Sequence, residues 1–175
     1  PQSMLVAIPD DMPFDQAAII PDAVATPWAA ISYTAKVQAG EAVAVWGVGG
    51  LGVHAIQLLR MIGASPIIAV DPAEGPRMKA LAHGADAALD PNADDFEEKF
   101  REINGGRGVD AGFDFAGFAG IPEQVLRLLN DDGRLIITGM SGKPFSVQDS
   151  SSFIHFQHKI LGHYGYQPPH VEQLV

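Results

Sequence analysis

The chain has no cysteine. That excludes disulfide bonds and any thiolate metal site within it, and it suits a cytoplasmic location. Basic residues are few: 11 Lys and Arg stand against 21 Asp and Glu, a formal net charge of −10. Binding to a phosphate backbone needs a basic face, so this balance argues against nucleic acid as a partner. No apolar run reaches the ~18 residues of a membrane span, and no charged-then-apolar leader opens the sequence. A membrane partner is therefore not expected. Aromatic residues make up only 8 % and charged residues 18 % of the 175 positions, while hydrophobic residues make up 47 %. That is a folded-domain composition, not a disordered one. An initiator methionine is also missing, and the sequence stops in "HVEQLV", which reads as an opening helix. Both features are expected of a piece of a longer protein.

What is present is an alternation of short apolar runs and helix-like segments. "AVAVW" (42–46), "PIIAV" (66–70), "AAL" (87–89), "AGFDFA" (111–116), "RLIITG" (134–139) and "KILGHY" (159–164) read as six strands. Between them lie helical stretches, among them "GLGVHAIQLLRMIG", Arg77 to His83, "ADDFEEKFREIN" and "IPEQVLRLLN". In "ADDFEEKFREIN", Phe96 and Phe100 fall four apart on one helical face. Strand and helix in alternation predict an α/β, doubly wound parallel sheet with crossover helices. The fully apolar strands agree, because parallel strands are covered on both faces. Residues 1–40 do not fit this pattern. They read as one or two helices connecting to a preceding part, with the sheet domain over 41–175.

The densest signal is "WGVGGLG", where four of the six positions from Gly47 to Gly52 are glycine. Gly47, Gly49 and Gly52 satisfy G-x-G-x-x-G directly after a strand and at the opening of a helix. Asp71 stands nineteen positions after Gly52, at the end of the second strand. Together these are the dinucleotide fingerprint of a βαβ unit. Gly47 makes the tight turn, Gly49 admits the pyrophosphate and Gly52 lets helix and strand pack closely. The helix N-terminus favours the anion. Asp71 is placed to accept from the adenosine ribose hydroxyls and to repel a 2′-phosphate, which favours NAD over NADP. Arg77 either covers the adenine or pairs with a 2′-phosphate, and beside Asp71 the first reading is preferred. A methyltransferase also places a glycine loop and an acid at these points, but six strands with this loop spacing fit it less well.

"VQAGEAVAVWGVGGLGVHAIQLLRMIGASPIIAVD", "RMKALAHGADAALDP", "VDAGFDFAG", "GRLIITGMSG" and "KILGHYGY" occur in this order. Over residues 5–175 the chain resembles the coenzyme domain of the zinc-containing medium-chain alcohol dehydrogenases. The resemblance implies a six-stranded Rossmann fold set between a catalytic domain and a return segment that lie outside this sequence. It implies reversible oxidation of a small-molecule alcohol by NAD, with zinc polarising the oxygen in the full-length protein, and no catalytic residue within this stretch. Gly47, Gly49, Gly50, Leu51 and Gly52 fall on its pyrophosphate loop, and Asp71 and Arg77 on the adenosine side. Phe115, Ala116 and Gly117, then Thr138, Gly139 and Met140, follow the fourth and fifth strands on the nicotinamide side. Thr26 and His163 align near the nicotinamide. The family's usual cysteine zinc ligand is replaced in "PDAVATPWAAI" by Asp22, which reads either as a carboxylate ligand or as a helix N-cap. A homodimer or tetramer through the sixth strand is implied too. The competing readings are a zinc-free, quinone-reductase-like member and a non-catalytic NAD-sensing module.

Other clusters carry less. His155 and His158 would share a face if "HFQH" were helical, but no third ligand or carboxylate accompanies them. Asp94, Asp95, Glu97 and Glu98 read as a solvated helix start. Asp110 and Asp114 flank a strand, where carboxylates are common. Trp28 and Trp46 read as packing residues.

Overall fold

The computed structural model describes residues 5–175, so the first four positions of the expected connector lie outside the described residues. Six parallel strands form one sheet in the order β3-β2-β1-β4-β5-β6. They are β1 (Val43–Trp46), β2 (Ile67–Val70), β3 (Ala87–Leu89), β4 (Val109–Asp114), β5 (Leu129–Ile137) and β6 (Lys159–Gly162). The crossovers carry α3 (Gly50–Ile62), α4 (Glu74–Ala82), α5 (Phe96–Ile103), α6 (Ile121–Arg127) and α7 (Ser150–His155). Strand order reverses between β1 and β4, which makes a switch point at their carboxyl ends.

The alternation of side chains along β1 builds two cores. Val43 and Val45 join Ile56, Leu59, Ile67 and Phe113 on one face. Ala44 and Trp46 join Ile68, Val70, Phe100 and Leu135 on the other. Successive strand residues point to opposite faces, and both faces here are roofed by helices. Phe96 and Phe100 are buried, as their spacing predicts. Gly63 ends α3 in the left-handed conformation, at φ 93°.

Four expectations need correction. The connector is not one or two regular helices. It comprises α1 (Phe14–Ala17), a kinked turn Ile20–Val24, α2 (Ala25–Ala29) and a wide turn Ala30–Ala35. Pro21 and Asp22 depart from helical geometry and interrupt the winding. β4 runs two residues earlier than its apolar string suggests. β5 begins at Leu129, because its register slips between the Val109–Leu129 and Ala111–Arg134 pairings. Last, α7 ends at His155, and Gln157 has φ 54°, so His158 does not share a helical face with His155.

The connector is tied to β5 at one end and packs on the last helix at the other. Arg134 on β5 donates through Nε to the Ala35 carbonyl at 2.6 Å and through both terminal nitrogens to Glu41. Ile20 and Ala25 pack with Val171 of α8 (Pro168–Glu172). Trp46 is 1 % exposed and donates to Gln124, and Trp28 donates to Gln173, so both tryptophans are packing residues with satisfied N–H groups.

Candidate functional site

The glycine loop leaves β1 and enters α3 at the switch point, and each glycine meets a different constraint. Gly47 has φ 87° and lies against Ala116, where a Cβ would come within 2.7 Å of another Cβ. A Cβ on Gly52 would overlap the Gly47 carbonyl. Gly49 and Gly50 are exposed, and a Cβ on either would enter open space. Loop and helix are therefore sealed at Gly47 and Gly52 and open at Gly49 and Gly50. That open side lies at the unpaired N–H groups of the first turn of α3, which also contains Leu51, and such a cradle suits a pyrophosphate.

Asp71 follows β2 and reaches into the loop. Its Oδ2 accepts the Val48 N–H at 2.9 Å and its Oδ1 accepts the Ala73 N–H at 2.9 Å. A carboxylate has about four acceptor sites, so two remain for ribose hydroxyls. The bond to Val48 was not legible in the sequence, since it joins residues 23 positions apart. Arg77 donates to the carbonyls of Asp71 and Pro72, each at 2.8 Å, and lies 3.5 Å from Asp90. Its guanidinium braces the turn that carries Asp71.

Across the switch point, Phe115, Ala116 and Gly117 follow β4, and Thr138, Gly139 and Met140 follow β5. The two turns are in contact, because a Cβ on Gly117 or on Gly139 would overlap the backbone of the other turn. Met140 is 84 % exposed, an apolar side chain facing solvent. Thr138 Oγ1 and His163 Nε2 are buried without hydrogen-bond partners. They stand on adjoining strand ends, since the His163 N–H donates to Ile137. Orphaned buried polar atoms of this kind call for a partner that a ligand can supply. His163 Nδ1 lies 2.8 Å from Thr34 Oγ1. Burial holds the His163 imidazole below its ordinary pKa of 6.5, opposed in part by the backbone of Gly165 and Thr26. The open side of the glycine loop, the free acceptor positions of Asp71 and the unpartnered Thr138 and His163 atoms are compatible with a dinucleotide.

The residues present do not by themselves fit a metal. Among the described residues, no three His, Cys, Asp or Glu side chains converge on one point. Asp22 is exposed and does not cap a helix. Its Oδ1 instead accepts from Thr26 Oγ1 at 2.9 Å. Its backbone lies at φ 68°, ψ −69°, in a strained region that non-glycine residues rarely occupy.

Another hollow lies away from the glycine loop. About 590 Å³ opens at the amino ends of β4 and β5, between Arg101, Arg127, Asp131 and Phe153. Arg127 there is paired with Glu97 and Arg101 donates to a backbone carbonyl, so these cations are already engaged. In α/β sheets of this kind ligands bind at the carboxyl ends of the strands.

The fold and the glycine cradle define a dinucleotide-binding domain of the Rossmann class. A family model for zinc-binding dehydrogenases matches residues 50–175, and the chain belongs to that family. It is 33 % identical over 144 residues to an NDMA-dependent alcohol dehydrogenase of Amycolatopsis methanolica, covering 80 % of this chain and 38 % of that protein. It is 33 % identical over 140 residues to the phenolphthiocerol synthesis polyketide synthase type I Pks15/1 of Mycobacterium bovis, covering 79 % of this chain and 6 % of that one. The crystal structure of an alcohol dehydrogenase from Aeropyrum pernix superimposes with a TM-score of 0.85 at 29 % identity, over 97 % of this chain and 49 % of that one. The chain thus spans less than half the length of these dehydrogenases.

Proposed function

We propose that the chain is the coenzyme-binding part of an NAD-dependent, zinc-type alcohol dehydrogenase acting on a small-molecule alcohol or carbonyl compound. The observation that carries this reading is the open cradle over Gly49 and Gly50 at the start of α3, with the Asp71 carboxylate held beside it. NAD, when bound, supplies the hydride acceptor. The chain binds and orients it: the glycine loop holds the pyrophosphate, Asp71 takes the adenosine ribose, and the turns after β4 and β5 with His163 and Thr26 line the nicotinamide side. Asp71 selects NAD, because a 2′-phosphate would meet its negative charge.

Zinc is assigned to the whole enzyme, with Asp22 as one ligand completed by side chains outside this chain. The strained Asp22 backbone and its bond from Thr26 support that role. The substrate then binds between this domain and another, where such pockets commonly form. Pairing of two β6 edges gives a homodimer or tetramer, and the compartment is the cytoplasm.

The second reading is a zinc-free, quinone-reductase-like member of the same superfamily. Calorimetric titration with NADH and NADPH, repeated on Asp71→Ala, separates the two. The dehydrogenase reading expects tighter binding of NADH, with the preference lost in the variant. Tighter binding of NADPH by the wild type overturns it.

A further inference from the structure

Asp114 ends β4 and is 1 % exposed. A carboxylate so deeply placed is costly unless hydrogen bonds or a cation satisfy it. No Lys, Arg or His among the described residues forms an ion pair with it. Its Oδ1 instead accepts the backbone N–H of Ala116 at 3.0 Å and of Gly117 at 2.8 Å. Its carbonyl oxygen accepts the N–H of Thr138 at 3.0 Å and of Gly139 at 2.8 Å. One residue thus gathers four N–H groups from the two turns that follow β4 and β5. Those turns already touch at Gly117 and Gly139. A hollow of about 160 Å³ opens beside them, bounded by Asp114, Phe118, Ile137, Lys143 and Phe145.

We infer that Asp114 is the positioning residue of the nicotinamide half of the site, locking the 115–117 turn against the 138–140 turn as a single wall. The inference rests on the cofactor reading above. Asp114 itself meets no cofactor atom and acts through the turns. An ionised acceptor binds N–H groups more strongly than a neutral one, so the two N–H groups offset part of the cost of burying this carboxyl group. Burial holds the Asp114 pKa above its ordinary value, and the N–H groups of Gly117 and Ala116 offset this only in part. The adenosine diphosphate half is held by a different set of groups, the glycine loop and Asp71, on the other side of the switch point.

The test is calorimetric titration of the chain, wild type, Asp114→Ala and Asp114→Asn, with NADH and with ADP. The clamp predicts at least fivefold weaker NADH binding for Asp114→Ala, with ADP affinity within about twofold of wild type. Asp114→Asn keeps a carbonyl acceptor and should recover part of the loss. If Asp114→Ala does not fold, Asp114→Asn decides alone, and NADH binding must still fall more than ADP binding. Equal losses for the two ligands, or no loss in a folded variant, overturn the clamp while leaving the cofactor reading intact. A wild type that binds neither ligand overturns both.

Discussion

At the residue scale, the four loop glycines separate into two kinds. Gly52 is a packing requirement, since a Cβ there would overlap the Gly47 carbonyl in a rigid backbone. Gly49 packs on nothing, and its φ of −84° is open to any residue. The two alanine variants should therefore fail in opposite ways. Gly52→Ala should lower stability by about 1–3 kcal/mol, the usual range for overpacking. Gly49→Ala should leave stability within about 0.5 kcal/mol of wild type, yet weaken NADH binding at least tenfold by filling the cradle. Urea unfolding and calorimetry on the same two samples check both halves. If Gly49→Ala binds NADH like the wild type, the open side of the loop is not where the pyrophosphate lies.

At the element scale, reading from the sequence succeeded where one period governs a segment. Five of the strands owe their existence to apolar runs between turn residues, and β3 has the bounds its apolar run sets, Ala87–Leu89. The reading failed where distant partners set the boundary. The start of β5 depends on pairing with β4 across a register slip, which no local pattern reports. The connector reads as helix because its residues are apolar and small, but Pro21 and the strained Asp22 break it into turns. The site behaves likewise. The glycine fingerprint and Asp71 are local and legible. The Val48–Asp71 bond and the gathering of N–H groups by Asp114 need the fold to be known, and a lone acid at a strand end says nothing of either. Arg134 is a third such case. Its guanidinium binds Ala35, Glu41 and the Asp110 carbonyl, and its side chain is only 12 % exposed. It therefore fastens the connector to β5. Arg134→Met should cost about 2–3 kcal/mol in urea unfolding, less than a fully buried pair because Glu41 keeps some solvent. A loss below about 0.5 kcal/mol would mean that the connector is held by packing alone.

At the scale of the whole molecule, the sheet has one exposed flank. β6 pairs only with β5, so its outer edge presents unpaired backbone groups. Natural sheets protect such an edge or pair it. The opposite edge is β3, only three residues long and flanked by the charged Asp86 and Asp90, which limits pairing there. Beside β6, large side chains stand exposed: Ile154 is 73 % exposed before the strand and Tyr164 is 88 % exposed after it. A net charge of −10 opposes random association, so an ordered contact has to win by area and by backbone pairing. A two-fold axis beside β6 satisfies both, since it places the edge of one copy against the same edge of another and makes a closed assembly. Light scattering should then give twice the protomer mass, and Tyr164→Lys should weaken association at least tenfold without lowering the unfolding temperature of the monomer. Raising the salt should strengthen the wild-type dimer, because like charges are screened while the apolar contact remains. A monomer at every concentration and salt level would overturn the two-fold contact at β6.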